Sequence, residues 1–308
     1  MRALKDYQYK SIRQTLICTG AQDGFENGAM QEMRLIGVFS GKGGVGKTTV
    51  AINLGAILAK NFNRRITIVD CNVTTSHLGL YLGIYYSPIT LNKVLRGEHD
   101  IGEALFTHYT GMKIIPASLS FSELEGVDVL YLKEKVSALL ENNDFVFLDS
   151  APGLGREAVA SIRASKEILY VTTPYVPSVM DVVKTNEVAM EAGVKPLGIV
   201  LNMVHNEKHE MSKDEVEQLT NIPVIGSIPF DKTVRKSLTL KMPSVVLDPN
   251  SKSSREFIRI GEKLTGEKYS GSKYGLASYI KRVLRISGKR QKAELDVPGA
   301  VQIENGGR

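Results

Sequence analysis

The chain of 308 residues has no tryptophan and only two cysteines, Cys18 and Cys71. The two lie far apart and form no C-x-x-C pair. That argues against a disulfide framework or a two-cysteine metal site, and it points to a reducing cytoplasm. No apolar run approaches the roughly 18 residues that a membrane span needs. The start of the chain mixes Arg2, Lys5, Asp6, Lys10 and Arg13 with no apolar centre, so no signal peptide is legible. Acids are missing from one stretch: between Glu267 and Glu294 stand eight bases and no acid. Those eight exceed the net charge of +6, so the rest of the chain is slightly acidic. Such asymmetry suggests a tail that meets an anionic surface.

What is present is ordinary in bulk and specific in one place. An apolar fraction of 43 % suits a globular protein with a sizeable core. Short apolar runs alternate with longer amphipathic ones from Arg34 onward. Strands are expected at 34–39, 65–70, 112–116, 144–149, 167–172, 196–202 and 223–228, with helices such as 128–142, 177–192, 212–220 and 252–264 between them. That pattern means a doubly wound α/β fold, a mainly parallel sheet with helices on both faces. Ligands of such sheets bind outside the carboxyl ends of the strands.

The specific stretch is Gly41-Lys42-Gly43-Gly44-Val45-Gly46-Lys47-Thr48-Thr49, which fits G-x-x-x-x-G-K-[ST]. The run Arg34 to Phe39 before it reads as a buried strand, and Thr49 to Lys60 after it reads as a helix. Strand, glycine loop and helix together make a phosphate cradle. Glycines let backbone N–H groups turn onto phosphate oxygens, and the helix N-terminus adds partial positive charge. Lys47 would reach the β/γ-phosphates and the Thr48 hydroxyl would ligate Mg²⁺. Further on, Phe145-Val146-Phe147-Leu148-Asp149 is an apolar strand ending in a lone carboxylate, the form of a Walker B strand whose Asp149 holds Mg²⁺. No G-T/S-K-x-D guanine signature is present, which favours ATP over GTP.

The loop Lys-Gly-Gly-Val-Gly-Lys-Thr-Thr, with a second lysine at Lys42, resembles the deviant Walker A motif of the MinD/ParA ATPases. The resemblance runs from about Arg34 to Gly266 and is closest to MinD-type members. It implies that Lys42 contacts phosphate across an ATP-sandwiched homodimer. Ile66-Thr67-Ile68-Val69-Asp70-Cys71-Asn72 resembles the family's switch I entry, in which a second aspartate orients the attacking water. Here Asp70 matches the first aspartate, a further Mg²⁺ ligand, and Asn72 stands at the second position. An amide positions water but cannot take a proton. Two readings stay open: slow hydrolysis, or nucleotide binding with almost none. Gly153 resembles the switch II glycine at the γ-phosphate. Asn202 resembles the strand-end amide that meets adenine, and Ile228-Pro229-Phe230-Asp231 resembles the loop flanking the base. His77 reads as a surface or switch residue.

After a Gly/Ser/Lys linker, Leu276, Tyr279, Ile280, Val283 and Leu284 fall at i, i+3, i+4, i+7 and i+8. Ile286 widens that face, and Lys281, Arg282 and Arg285 lie opposite. Such a helix suits the interface of an anionic membrane, and MinD proteins likewise end in a membrane-targeting helix. The same segment could dock on the body or on a protein partner, and nucleic acid is a further, less favoured partner. The expected organisation is an N-terminal extension at 1–32 without assigned function, an ATPase domain at 33–265, a linker at 266–274, the basic amphipathic helix at 275–290 and a polar tail at 291–308. The expected protein is a cytoplasmic ATPase using ATP and Mg²⁺, attached peripherally to the inner face of the membrane. It would dimerise with ATP, meet a protein effector and position a division, motility or envelope machine. A ParA-like DNA-partitioning ATPase and a nucleotide-gated scaffold are the alternatives.

Overall fold

The computed structural model describes residues 33–269. The expectations for the N-terminal extension, the amphipathic helix and the polar tail lie outside those residues. Eight strands form one sheet: β1 (Arg34–Phe39), β2 (Ile66–Asp70), β3 (Phe106–Thr107), β4 (Lys113–Ile115), β5 (Phe145–Asp149), β6 (Glu167–Thr172), β7 (Lys195–Val204) and β8 (Val224–Pro229). Their spatial order is β3-β4-β2-β5-β1-β6-β7-β8. Every pairing is parallel except β3 with β4.

The helices in chain order are α1 (Lys47–Asn61), α2 (Leu78–Tyr81), α3 (Leu91–Leu95), α4 (Leu132–Ser137), α5 (Arg156–Ala164), α6 (Val176–Glu191), α7 (Lys213–Thr220), α8 (Lys232–Leu240), α9 (Ser244–Leu247) and α10 (Lys252–Thr265). Alternation along the strands divides the core. Ile36, Val38, Phe145 and Phe147 pack on the face covered by α1, α9 and α10. Leu35, Val146 and Leu148 turn to the face covered by α3, α4 and α5, and Phe39, Ile168 and Tyr170 turn toward α6 and α7. Burial on both faces explains why these strands read as continuous apolar runs.

Three differences from the sequence expectation have local causes. The helix expected at 128–142 is broken into a 3₁₀ turn (Val129–Tyr131), α4 and a second 3₁₀ turn (Leu140–Asn142). Polar side chains interrupt it: Asp128 accepts from the Leu130 N–H, and Asn143 donates to the Leu139 carbonyl while accepting from Thr67. The strand β3 is two exposed residues long, too short to carry a pattern. Finally, β7 runs past Asn202 to Val204, with Met203 in the left-handed region at φ 58°. A non-glycine residue held there is strained and re-aims its neighbours.

The first helix is buried nearly all round, so its one fully buried amide needs partners. Asn53 Nδ2 donates to the Thr49 carbonyl at 2.8 Å. Its Oδ1 accepts from Ser244 Oγ at 2.9 Å and from the Val245 N–H at 3.1 Å, which knits α1 to α9. Replacing it leaves two buried donors without an acceptor. Asn53→Ala is therefore expected to lower the free energy of unfolding by about 1–3 kcal/mol, read from urea denaturation of the purified protein.

Candidate functional site

The adjacent parallel strands β2, β5 and β1 end along one edge, and their register sets the site. Asp70 at the end of β2 is the direct partner of Asp149 at the end of β5. The Cys71 N–H continues that ladder to the Asp149 carbonyl at 2.9 Å. The neighbouring strand β1 feeds the glycine loop, which turns into α1.

That loop is clamped from three sides. Gly46 has φ 90° and caps α1, and a Cβ there would lie 2.2 Å from Asn202 Nδ2. A Cβ on Gly41 would lie 2.0 Å from Asp181 Cβ on α6. Only glycine permits both approaches. From the third side the Gly153 N–H donates to the Ser40 carbonyl at 3.1 Å, tying the loop after β5 to the glycine loop. Lys42, Gly43 and Gly44 are exposed.

The buried Lys47 ammonium donates to Asp149 Oδ1 at 3.1 Å, with side-chain exposures of 9 % and 2 %. Asp70 is equally buried. It accepts from Ser76 Oγ at 2.7 Å and from the N–H groups of Asn72 at 3.2 Å and Leu78 at 3.3 Å. Burial, and then the charge of Asp149, push its carboxyl up to about 7 against those hydrogen bonds. The half-buried Thr48 hydroxyl has no hydrogen-bond partner among the described residues. Two carboxylates, a lysine and a free hydroxyl at the mouth of a helix suit a phosphate with a divalent cation. Lys47, Thr48 and the loop N–H groups would hold the phosphates, and Thr48, Asp149 and Asp70 would hold Mg²⁺. Bound there, the cation would neutralise phosphate charge. Among the described residues no group of three or more His, Cys, Asp or Glu side chains is placed to hold a metal, so the cation here would rest on two carboxylates, the Thr48 hydroxyl and phosphate oxygens.

The remaining sequence-derived residues fall in two groups. Asn72 is beside the carboxylates, but its amide is occupied. Its Nδ2 donates to the Thr75 carbonyl at 2.7 Å and its Oδ1 accepts from Thr75 Oγ1 at 3.0 Å, closing a local turn. Asn202 lies against the glycine loop and donates to the Val45 carbonyl at 2.8 Å, so here it braces the loop. Asp231 caps α8 through the Thr233 N–H at 2.8 Å and accepts from Ser253 Oγ at 2.8 Å. Pro229 ends β8 beside it. His77 is exposed, with its ring 6.1 Å from that of Tyr81.

The structure adds residues that carried no sequence signal. Ser76 holds Asp70, Ser40 receives Gly153, and Asp181 lies under Gly41. Thr74 Oγ1 donates to Glu157 Oε1, which joins the loop after β2 to the first turn of α5 beyond the loop after β5. Each bond is between residues remote in sequence or too common in type to mark.

Residues 36–244 match the family model of the CobQ/CobB/MinD/ParA nucleotide-binding domain. An uncharacterized ATP-binding protein of Methanocaldococcus jannaschii is 32 % identical over 231 residues, which cover 75 % of this chain and 87 % of that protein. The structure of the cell division ATPase MinD of Pyrococcus furiosus is similar with a TM-score of 0.73 and 29 % identity, over 76 % of this chain and 98 % of that one. The septum site-determining protein MinD of Pyrococcus horikoshii, solved with Mg-ADP, is similar with the same TM-score of 0.73 and 29 % identity, over 75 % and 96 %. With the glycine loop, its lysine and the two strand-end carboxylates assembled on this sheet, the chain belongs to the MinD/ParA family of P-loop ATPases.

Proposed function

We propose that this chain is a slow, MinD-type ATPase whose bound nucleotide gates dimerisation and membrane attachment, and which places a division, motility or envelope machine. The observation that carries the nucleotide part is the buried Lys47–Asp149 pair beneath a glycine loop that ends in a free Thr48 hydroxyl. Lys47, Thr48, Thr49 and the N–H groups from Gly41 to Gly46 bind the phosphates. Asp149 and Asp70 would complete the cation site, and Gly153 would face the γ-phosphate. Pro229 and Asp231 would flank the base, and Asn202 braces the glycine loop. Lys42 projects from the exposed part of the loop, where it is free to reach the phosphate of a second copy. The relatives solved as cell division and septum site-determining proteins support the spatial role.

Membrane attachment rests on the sequence pattern of 275–290, with its apolar stripe and basic back. No described helix is long and apolar enough to cross a membrane. One short helix binds weakly, and two in a dimer gain by effective concentration. A nearly inactive scaffold is the second reading, favoured by Asn72, whose amide is committed to Thr75.

Co-sedimentation of the full chain with anionic vesicles in ATP or ADP tests the reading, with turnover measured in the same tubes. Pelleting is expected with ATP and is expected to disappear in Ile280→Asp/Leu284→Asp. Equal pelleting in both nucleotides would remove the gating. At position 72, Asn72→Asp is expected to raise turnover on the order of tenfold or more, by restoring a group that can take a proton. An unchanged rate would assign the water to another residue. Because the Asp70 carboxyl titrates at about 7, it keeps its proton below that pH and must lose it to ligate a cation. Mg-nucleotide affinity is therefore expected to weaken as pH falls from 8 through about 7 toward 6, with proton release on binding. Calorimetry in buffers of different ionisation enthalpy reads both effects.

A further inference from the structure

The excess of positive charge is not confined to the tail. Between Lys232 and Lys263 the chain carries eight bases and three acids. Helix α8 presents Lys232, Arg235 and Lys236 at spacings of three and four, all exposed. Helix α10 presents Lys252, Arg255, Arg259 and Lys263, spaced by three, four and four, also exposed. Those spacings place each set on one helical face, and the opposite face of α10 is buried through Phe257, Ile260 and Leu264.

The acids nearby do not neutralise this surface. Asp231, just before this stretch, is spent on Thr233 and Ser253, and Asp248 accepts the Asn250 N–H at 3.0 Å. Glu256 accepts the Ser227 N–H of the edge strand β8 at 3.0 Å as well as pairing with Arg259, and Glu262 accepts the Tyr269 N–H at 2.9 Å. Lys232, Arg235, Lys236, Lys252 and Arg255 have no ion pair among the described residues. The Asp231–Ser253 hydrogen bonds hold the starts of α8 and α10 together, and α9 packs against both. Lys252, Arg255, Glu256 and Arg259 line a groove of about 430 Å³ that also includes Pro229, the residue assigned above to the edge of the base.

We infer that this α8/α10 face is a second contact for an anionic lipid bilayer, acting with the tail helix to set the orientation of the body on the membrane. The inference rests on the membrane reading above and extends it to the folded domain. Continuity with the tail selects lipid as the occupant. The stripe on α10 ends at Lys263, three residues before the Gly266 cap. Glu267 pairs with Arg64, and the Tyr269 ring packs against Phe62. The described chain ends at Tyr269, six residues past Lys263, and the basic amphipathic pattern of 275–290 follows it in the sequence. A bilayer that receives the tail is then presented with a row of bases on the adjoining helix, each worth on the order of 1 kcal/mol near an anionic surface.

The full chain is compared with Arg235→Ala/Lys236→Ala/Lys252→Ala/Arg255→Ala and with the charge-conserving Arg235→Lys/Lys236→Arg/Lys252→Arg/Arg255→Lys. The probe is phosphatidylcholine vesicles with and without phosphatidylglycerol, in ATP, over a salt series. The alanine variant is expected to bind the anionic vesicles roughly tenfold or more weakly with a shallower salt dependence, while the charge-conserving variant binds as the wild type does. Far-UV circular dichroism and urea unfolding report that both variants are folded. Wild-type binding that the alanine variant matches overturns the inference and leaves the tail reading intact. An equal loss in the charge-conserving variant also overturns it. No vesicle binding by the wild type overturns the tail reading and this one together. Unchanged lipid binding with lost binding to duplex DNA overturns it by assigning the face to nucleic acid.

Discussion

The ion pair between Lys47 and Asp149 is the contact on which the rest of the site depends. Taking two charges from water costs several kcal/mol per ion, and their attraction offsets this only in good geometry. Here the geometry comes from the sheet. The strand β5 delivers Asp149 at its end, β1 delivers the glycine loop beside it, and α1 starts at Lys47 so that its ammonium drops onto the carboxylate at 3.1 Å. The same register brings Asp70 alongside as direct partner of Asp149, and burial, with the charge of Asp149 second, pushes the Asp70 carboxyl up to about 7. Two acids face one base in a buried place. An incoming phosphate offers the lysine a partner, and a divalent cation offers one to both carboxylates. The fold holds an electrostatic conflict that Mg-nucleotide would relieve.

Rigidity around that pair comes from close packing. The glycine loop has α6 against Gly41, β7 against Gly46, and the loop after β5 against Ser40. Asn202 belongs to this clamp. Its amide reaches Val45 at 2.8 Å, and Met203 immediately beyond it takes a left-handed backbone at φ 58°. A residue expected at the base therefore first serves the loop that would hold the phosphates. Asp231 is likewise a junction, joining α8 to α10 at the end of β8.

The order of elements was legible because the strands are buried on both faces and their apolar runs contrast with the helices between. The glycine loop was legible because close backbone approach leaves few residue choices. The helix at 128–142 was not, since Asp128 and Asn143 compete for the backbone in a way that apolar periodicity ignores. Nor were the bonds of Asn72, which are local, or the Thr74–Glu157 link, which joins residues remote in sequence. The basic face of α8 and α10 was hidden for another reason. Counting charges along the chain weighs Asp231, Glu256 and Glu262 equally with the bases. The fold turns those acids inward onto backbone and hydroxyl donors and leaves the bases outside.

Position 72 joins these strands of reasoning. The Asn72 N–H donates to Asp70 Oδ1 at 3.2 Å, so a charge on the side chain of 72 would sit beside two carboxylates already in conflict. An aspartate could still accept from Thr75 Oγ1, but it could not donate to the Thr75 carbonyl as Asn72 does at 2.7 Å. The amide therefore closes the turn after β2 from both sides and adds no third negative charge. What it gives up is a group able to take a proton from water. In this chain the loop beside the carboxylates is built for a stable closed turn, and that is the physical basis for expecting a long-lived nucleotide complex over rapid turnover.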